Sequence, residues 1–321
     1  MKDYGPLAAA AGAINADVNL FLQRIPAGGE EMPVKSITRV PGGKAANVAV
    51  AMARLLKPAT SGIIGALGAD AVGDWQLDVF KKEGVDARGL VRLKNVESGQ
   101  AYILIDDRGQ NAINTYFGAN ASLKPTLLES PGVKQVLNTI RFLVVMDTPL
   151  DFTHALLWTA SKRPIPRLWA PGVRTLQGPG AVTKLLKYVD YLVLNEPEVM
   201  NLAGASTLAA AYRELSKSQE ELKLVVTRGR NGAIMLGPGI EEEVAGVDLS
   251  ALGLKAVNTV GCGDAFIGCF AVHIVLGRSP EESLMLANYA GSFKATRLDT
   301  RGSPTADELA SFAKRIENSS S

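Results

Sequence analysis

Asn258-Thr259-Val260-Gly261-Cys262-Gly263-Asp264-Ala265-Phe266-Ile267-Gly268 sets a lone carboxylate directly behind two glycines where a helical apolar pattern begins. Glycines let backbone approach an anion closely, and the first amides of a helix, at the positive end of its dipole, favour phosphate charge. Asp264 is then placed to take the proton of an attacking hydroxyl, with a metal nucleotide sharing the charge that would otherwise repel the carboxylate. Taken alone, the run reads equally well as a glycine turn whose Asp caps a helix. The rest of the chain has to decide.

Around this run, strand and helix signals alternate. Strands are expected at 7–14, 61–64, 142–146, 167–169, 191–194 and 223–227, and helices at 45–56, 72–83 (closed by Gly84), 152–161, 181–188, 197–202 and 208–215. Behind Gly261 the chain reads as helical to 274, again over 280–296, and finally over about 305–316. The alternation predicts an α/β fold, doubly wound, with a mostly parallel sheet flanked by helices. Segments 34–40, 100–105 and 111–117 break the rhythm and read as antiparallel strands, the last two joined by Asp106-Asp107-Arg108-Gly109. They form either a small β lid that excludes water from a reactive phosphate or a plain edge hairpin.

The 321 residues are 47% hydrophobic and 21% charged, which is enough chain to bury a core. The 34 basic and 32 acidic residues are interspersed and sum to +2, so there is no electrostatic footprint for nucleic acid or an anionic membrane. The acidic triplet at 241–243 reads as a solvated loop or strand edge. Cys262 and Cys269 lie about 10.5 Å apart along one helix, too far to pair and matching no zinc spacing, which fits a reducing compartment. The apolar stretch after Lys2 and Asp3 lacks membrane length and a cleavage site, so a cytoplasmic protein is expected. His154 and His273 are far apart on expected helices and offer no catalytic histidine chemistry.

Two more polar clusters stand at strand ends. Asn15 and Asp17, two apart and so on one face, follow the first strand, where ligands of such sheets bind; they suit sugar hydroxyls, or an Asx turn ending the strand. Pro41-Gly42-Gly43-Lys44-Ala45-Ala46-Asn47 is a second glycine turn opening a helix, with Lys44 and Asn47 as donors, or else a loop entering a helix. No G-x-x-x-x-G-K-[ST] loop occurs, and the first strand lacks the glycine-rich turn of a dinucleotide-binding unit.

In this order the motifs resemble the ribokinase-like carbohydrate kinases, also called the phosphofructokinase B family, over most of the chain. Gly12 to Asp17 is similar to the family's first sugar-contacting strand, and Pro41 to Asn47 to its di-glycine motif, with Ala45 where many ribokinases have glycine. Ile64 to Asp74, Glu83 to Asp86 and Asn111 to Leu123 continue the signature. Asn195-Glu196-Pro197-Glu198 resembles the N-x-x-E motif that orders Mg²⁺ and phosphate through water, and Thr227 to Gly232 resembles the nucleotide loop.

The resemblance implies a kinase domain spanning 1–321, with lid strands inserted at about 15–24, 34–41 and 99–118. It implies transfer of the γ-phosphate of Mg²⁺·ATP to a sugar hydroxyl, with Asp264 as base and Gly261, Cys262 and Gly263 as anion hole. Asn15, Asp17, Gly42, Gly43, Lys44, Asn47 and Asp147 would orient the acceptor. Asn195, Glu198, Thr227, Gly229, Gly232 and Asn288 would hold the nucleotide, Glu198 reaching Mg²⁺ through water. A homodimer through the lid is also implied. Three positions depart from the family: Asn258 replaces an Asp that helps hold an activating monovalent cation, Ala170 replaces a polar residue, and Cys262 replaces an alanine. Cys262 reads as a small space-filler or, if accessible at the helix start, as a thiol with a lowered pKa. A nucleoside kinase on the same fold and a non-catalytic sugar or nucleotide binder are the alternatives. Lid and pocket residues around Ala101, Tyr102, Asn114 and Tyr116 would choose the acceptor.

Overall fold

The structure is a computed structural model that describes residues 5–56 and 60–319; Lys2 and Asp3 lie outside them. In chain order the first half comprises β1 (Ala8–Gly12), β2 (Asn15–Phe21), β3 (Ser36–Gly42), α1 (Lys44–Leu55), β4 (Ser61–Gly68), α2 (Ala71–Glu83), β5 (Val85–Leu93), β6 (Gly99–Ile105), β7 (Asn111–Tyr116), α3 (Pro131–Thr139) and β8 (Phe142–Met146). The second half continues with α4 (Leu150–Ser161), β9 (Arg167–Ala170), α5 (Pro179–Thr183), β10 (Tyr191–Asn195), α6 (Glu196–Ala203), α7 (Leu208–Ser216), β11 (Lys223–Thr227), β12 (Ala233–Gly237), β13 (Ile240–Val244), α8 (Cys262–Val275), α9 (Pro280–Ala295) and α10 (Ala306–Ser319).

Nine strands form one sheet in the order β13-β12-β11-β10-β9-β8-β1-β4-β5, parallel except for the two pairings made by β12. Strand residues alternate between two cores. Ala8, Ala10, Val144, Leu168 and Val225 face α1, α8 and α9, whereas Ala9, Ala11, Val145, Trp169 and Val226 face the side packed by α3, α4, α6 and α7. Burial on both faces is why these strands read as unbroken apolar runs and why parallel strands need crossover helices. The acidic triplet lies on the edge strand β13, where Glu241 and Glu243 are exposed; edge charge of this kind discourages pairing with another sheet.

A second sheet of four strands, β3-β2-β6-β7, stands at the carboxyl end of β1. It differs from the all-antiparallel expectation: β2 and β6 pair in parallel, Asn15 beside Gly99 through Phe21 beside Ile105. Strands from segments some eighty residues apart choose their direction through tertiary packing, which no local turn signal encodes. The expected helix over 181–188 is also divided. α5 ends at Thr183, and a separate 3₁₀ turn covers Leu186–Tyr188.

α1 and α8 pack closely, because Gly268 has no side chain where they cross: a Cβ on Gly268 would stand 2.7 Å from the Ala51 Cβ. The alanine-rich face of α1 suits this contact, and the packing brings the first turns of both helices together at the carboxyl ends of the central strands.

Candidate active site

Gly261 precedes α8 at φ +87°, in the left-handed region, and a Cβ there would stand 2.2 Å from the Thr300 carbonyl oxygen. Only glycine fits both constraints. Gly263 is exposed, with nothing within 4 Å of where a Cβ would lie. The amide of Cys262 is engaged, donating to the Thr259 carbonyl at 3.2 Å, so Gly263 and Asp264 carry the first-turn amides that lack a partner within the helix. Burial pushes the Cys262 thiol up to about 11 even though Lys294 opposes it. The thiol is not accessible in the way a lowered pKa requires, and desolvation of a thiolate outweighs the helix start here, which leaves the space-filling role.

The Asp264 carboxylate accepts a 2.8 Å hydrogen bond from Asn47 Nδ2 on the first turn of α1. Asn47 Oδ1 in turn accepts from Arg301 Nε at 2.9 Å, which fixes the amide with its NH₂ toward the carboxylate. Arg301 is 3% exposed and also donates to the Gly42 carbonyl at 2.9 Å and to Gln76 Oε1 at 3.1 Å. Burial raises the pKa of Asp264, with Asp147 adding to the rise, while the Asn47 bond and the Lys44 and Arg301 charges pull it back.

Gly43 enters α1 at φ +94°, wedged so close to Ile14 and Asn15 that a Cβ would meet three backbone atoms at 2.6 Å. This close approach lays the Gly42-Gly43 turn against β2, where Asp17 and Asn15 are both buried. Burial drives Asp17 up to about 7; Arg301 opposes the rise and Asp264 adds to it. Asn15 Oδ1 accepts from Asn120 Nδ2 at 2.9 Å, and Asn120 also exchanges bonds with the Ile14 amide and carbonyl. Asp147 follows β8 at φ +52°, a strained conformation for a residue with a side chain. Its carboxylate pairs with Lys44 Nζ at 2.8 Å and accepts from the Val173 amide at 3.1 Å. Burial works against the Lys44 charge, but Asp147, Asp264 and Glu198 together hold its pKa above the usual value.

Beside the start of α8 lies a cavity of about 330 Å³, within the range of small-ligand sites, lined by Thr227, Gly229, Gly232, Cys262, Gly263 and Asn288 among others. Asn288 holds its wall by donating to the Ala245 carbonyl at 2.8 Å. Asn195 and Glu198 are not part of this lining. They form a reciprocal cap on α6: Glu198 N–H donates to Asn195 Oδ1 at 2.8 Å, and Asn195 N–H to Glu198 Oε2 at 3.0 Å. Among the described residues no three His, Cys, Asp or Glu side chains cluster as a metal cage. One carboxylate is enough for Mg²⁺ that arrives on nucleotide phosphates and keeps its waters, so Glu198 fits that ion.

A monovalent cation at Asn258 does not fit. Its Nδ2 donates to the Leu298 carbonyl at 2.7 Å, its Oδ1 accepts from Val260 N–H at 3.0 Å, and its carbonyl already accepts from the Lys294 ammonium at 2.9 Å.

The structure thus gathers Asn15, Asp17, Gly42, Gly43, Lys44, Asn47, Asp147 and Asp264 on one side of the α8 start, and Thr227, Gly229, Gly232 and Asn288 on the other. Sequence reasoning missed Arg301, Gln76 and Lys294. Arg301 and Lys294 are remote from the quoted motifs, Gln76 stands two residues beyond one of them, and nothing local marks a charged or amide side chain as buried. Asn120 lay inside a quoted segment without being assigned a contact.

An α/β sheet whose carboxyl ends gather carboxylates and amides, next to a cavity opening on a glycine-started helix, defines a protein that handles a small anionic ligand beside a polar one. A profile of the pfkB family of carbohydrate kinases matches residues 6–306. The chain is 29% identical to a ribokinase of Schizosaccharomyces pombe, covering 86% of this chain and 87% of that one. It is 30% identical to an ATP-dependent ribose-1-phosphate kinase of Halopiger xanaduensis, covering 94% and 96%. The structure superposes on a ribokinase of Thermotoga maritima with a TM-score of 0.85 at 26% identity, covering 96% of this chain and 99% of that one. The chain belongs to the pfkB family of carbohydrate kinases. It is a carbohydrate kinase of the ribokinase-like fold. No helix among the described residues is long and apolar enough to cross a membrane.

Proposed function

We propose that Asp264 is the base that deprotonates a sugar hydroxyl as it attacks the γ-phosphate of Mg²⁺·ATP. The observation that carries this is the position of its carboxylate: it stands at the first turn of α8, between the nucleotide-sized cavity and the Asp17, Lys44 and Asp147 cluster, and is aimed by Asn47. Asn15, Asp17 and Asp147 orient the acceptor against the Gly42-Gly43 turn. Lys44 places its charge between acceptor and phosphate. The amides of Gly263 and Asp264 in the first turn, with that of Gly261 before it, take the charge of the transferring group, and Cys262 shapes the turn through its bond to Thr259. Thr227, Gly229, Gly232 and Asn288 seat the nucleotide. Mg²⁺ on the phosphates, reached by Glu198 through water, would neutralise the charge that builds there.

The acceptor class follows the relatives, whose names give ribose and ribose 1-phosphate. Arg174 donates to the Asp147 carbonyl at 3.2 Å and lies over the Phe117 ring at 5.3 Å, which sets a cation beside the acceptor cluster for either sugar. The second sheet serves as the lid. Its exposed Ile37, Tyr102 and Tyr116 share the face turned away from Asp17, which suits contact with a second copy of the chain. Two free cysteines fit a cytoplasmic setting.

The test is ADP release from Mg²⁺·ATP over a panel of ribose, ribose 1-phosphate, other sugars and nucleosides, for the parent and Asp264→Asn. Turnover is expected to fall about 10²- to 10⁴-fold in the variant with ATP affinity kept. Near-parental turnover would remove Asp264 from the role. Nucleoside-only release would move the acceptor to that class, and no release with measurable ligand binding would favour a non-catalytic binder.

A further inference from the structure

Lys294 is wholly buried in the last turn of α9, yet it is an amine, and its ammonium is bound by backbone carbonyls: Asn258 O at 2.9 Å and Arg297 O at 3.2 Å. Burying a cation is costly unless its hydrogen bonds are met, so a lysine here needs a reason. Its two partners lie on two different segments. Asn258 belongs to the loop that leads into Gly261 and the start of α8, and Arg297 belongs to the loop that leaves α9. Other bonds join the same two segments: Val257 and Asn258 N–H both donate to the Ala295 carbonyl, Asn258 Nδ2 donates to the Leu298 carbonyl, and Gly261 packs on Thr300. Burial works against the Lys294 charge, while Cys262, Asp299 on the same segment and Asp264 lie close enough to favour it.

Carbonyl oxygens converging on a buried cation are the surroundings in which a free monovalent ion would be held. Here a covalently attached cation is there instead, and Asn258, a neutral amide, supplies no compensating charge. We infer that the Lys294 ammonium is a built-in cation that positions the loop from Asn258 to Gly261, and thereby the anion-binding amides of α8, in place of an exchangeable monovalent ion. Lys294 is a positioning residue, and the inference rests on the reading of that loop as the anion hole. Its consequence is an enzyme whose turnover does not depend on potassium or ammonium.

The experiment has three arms. First, parent activity is measured in potassium, ammonium, sodium and choline chlorides at constant ionic strength; a flat response is expected, and activation of several-fold by potassium or ammonium would overturn the inference. Second, Lys294→Met keeps the apolar stem and removes the charge; kcat per folded molecule is expected to fall roughly 10- to 100-fold through misplacement of the loop. A lowered melting temperature with parental kcat would assign the lysine to stability alone and overturn the inference. Third, Lys294→Ala opens room at the carbonyls; ammonium is expected to raise its melting temperature and restore part of its kcat, whereas the parent and the Met variant, whose space is filled, do not respond. Absence of both effects in the Ala variant overturns the inference. The melting arm needs no turnover. If the parent releases no ADP with any acceptor, the kinase reading falls, while ammonium-specific stabilisation of Lys294→Ala still decides whether a cation belongs at this place.

Discussion

Arg301→Met tests whether the site is held by charge or by shape. Arg301 donates three hydrogen bonds, to Asn47 Oδ1, the Gly42 carbonyl and Gln76 Oε1, at 2.9, 2.9 and 3.1 Å. Methionine keeps much of the stem volume and strips the guanidinium, leaving three buried acceptors without a donor at about 1–3 kcal/mol each. Relief of the guanidinium's own desolvation offsets part of this, so a net loss of about 3–5 kcal/mol in stability is expected. The kinetic consequence has a definite sign. Burial already raises the pKa values of Asp17 and Asp264, and Arg301 opposes both rises. Without it both carboxyls take up protons at higher pH. A base works only when ionised, so the acidic limb of kcat/KM moves to higher pH, and the plateau falls as Asn47 loses its fixed orientation. The assay is kcat/KM from about pH 5 to about pH 9 on protein shown to be folded by circular dichroism, with the melt run in parallel. A lower plateau with an unmoved acidic limb would refute the electrostatic part of this reasoning and leave Arg301 a packing residue.

The Asp17 carboxyl at about 7, against an ordinary 3.8, makes this acid a stability liability at neutral pH. With the folded value raised, its stabilising contribution is full below the unfolded value and is lost as pH rises through about 7. Asp17→Asn should therefore be more stable than the parent above that pH, by roughly 4 kcal/mol at the upper bound, with the gap closing toward pH ~4, while acceptor binding is lost. Denaturant melts at both ends of that range check it, and a gap independent of pH would count against it. Small-angle scattering at high concentration should show a dimer that Tyr102→Lys dissolves; a monomer profile for the parent would sink the lid-face contact.

Much of this was legible because it is local. Gly261 and Gly263 before Asp264, Gly43 before α1 and Gly84 after α2 are residues whose backbone demands show in the sequence itself. The apolar runs of β8 and β11 gave their limits without error, 142–146 and 223–227, because both faces of those strands are buried. Elements with weaker patterns were missed. β5 is half-buried along most of its length, α3 is short, and β12 and β13 form an antiparallel hairpin added to an otherwise parallel sheet. The parallel pairing of β2 with β6 and the buried charges of Arg301 and Lys294 were not legible, since both depend on which distant segments meet. Cys262 shows the same limit from the other side: its place at a helix start was readable, but the burial that decides its pKa was not.

The missing side chain at Gly268 has a reach beyond the crossing of two helices. α1 carries the Gly43 turn and Asn47, α8 carries Gly263 and Asp264, and the distance between these groups is set by how near the two helix axes come. In-line transfer tolerates little error in that distance. A methyl group added a full turn of helix away from Asp264 would act as a spacer, parting the acceptor from the phosphate without touching either. In a survey of inactivating substitutions, this position deep in the apolar core would behave like a member of the catalytic site.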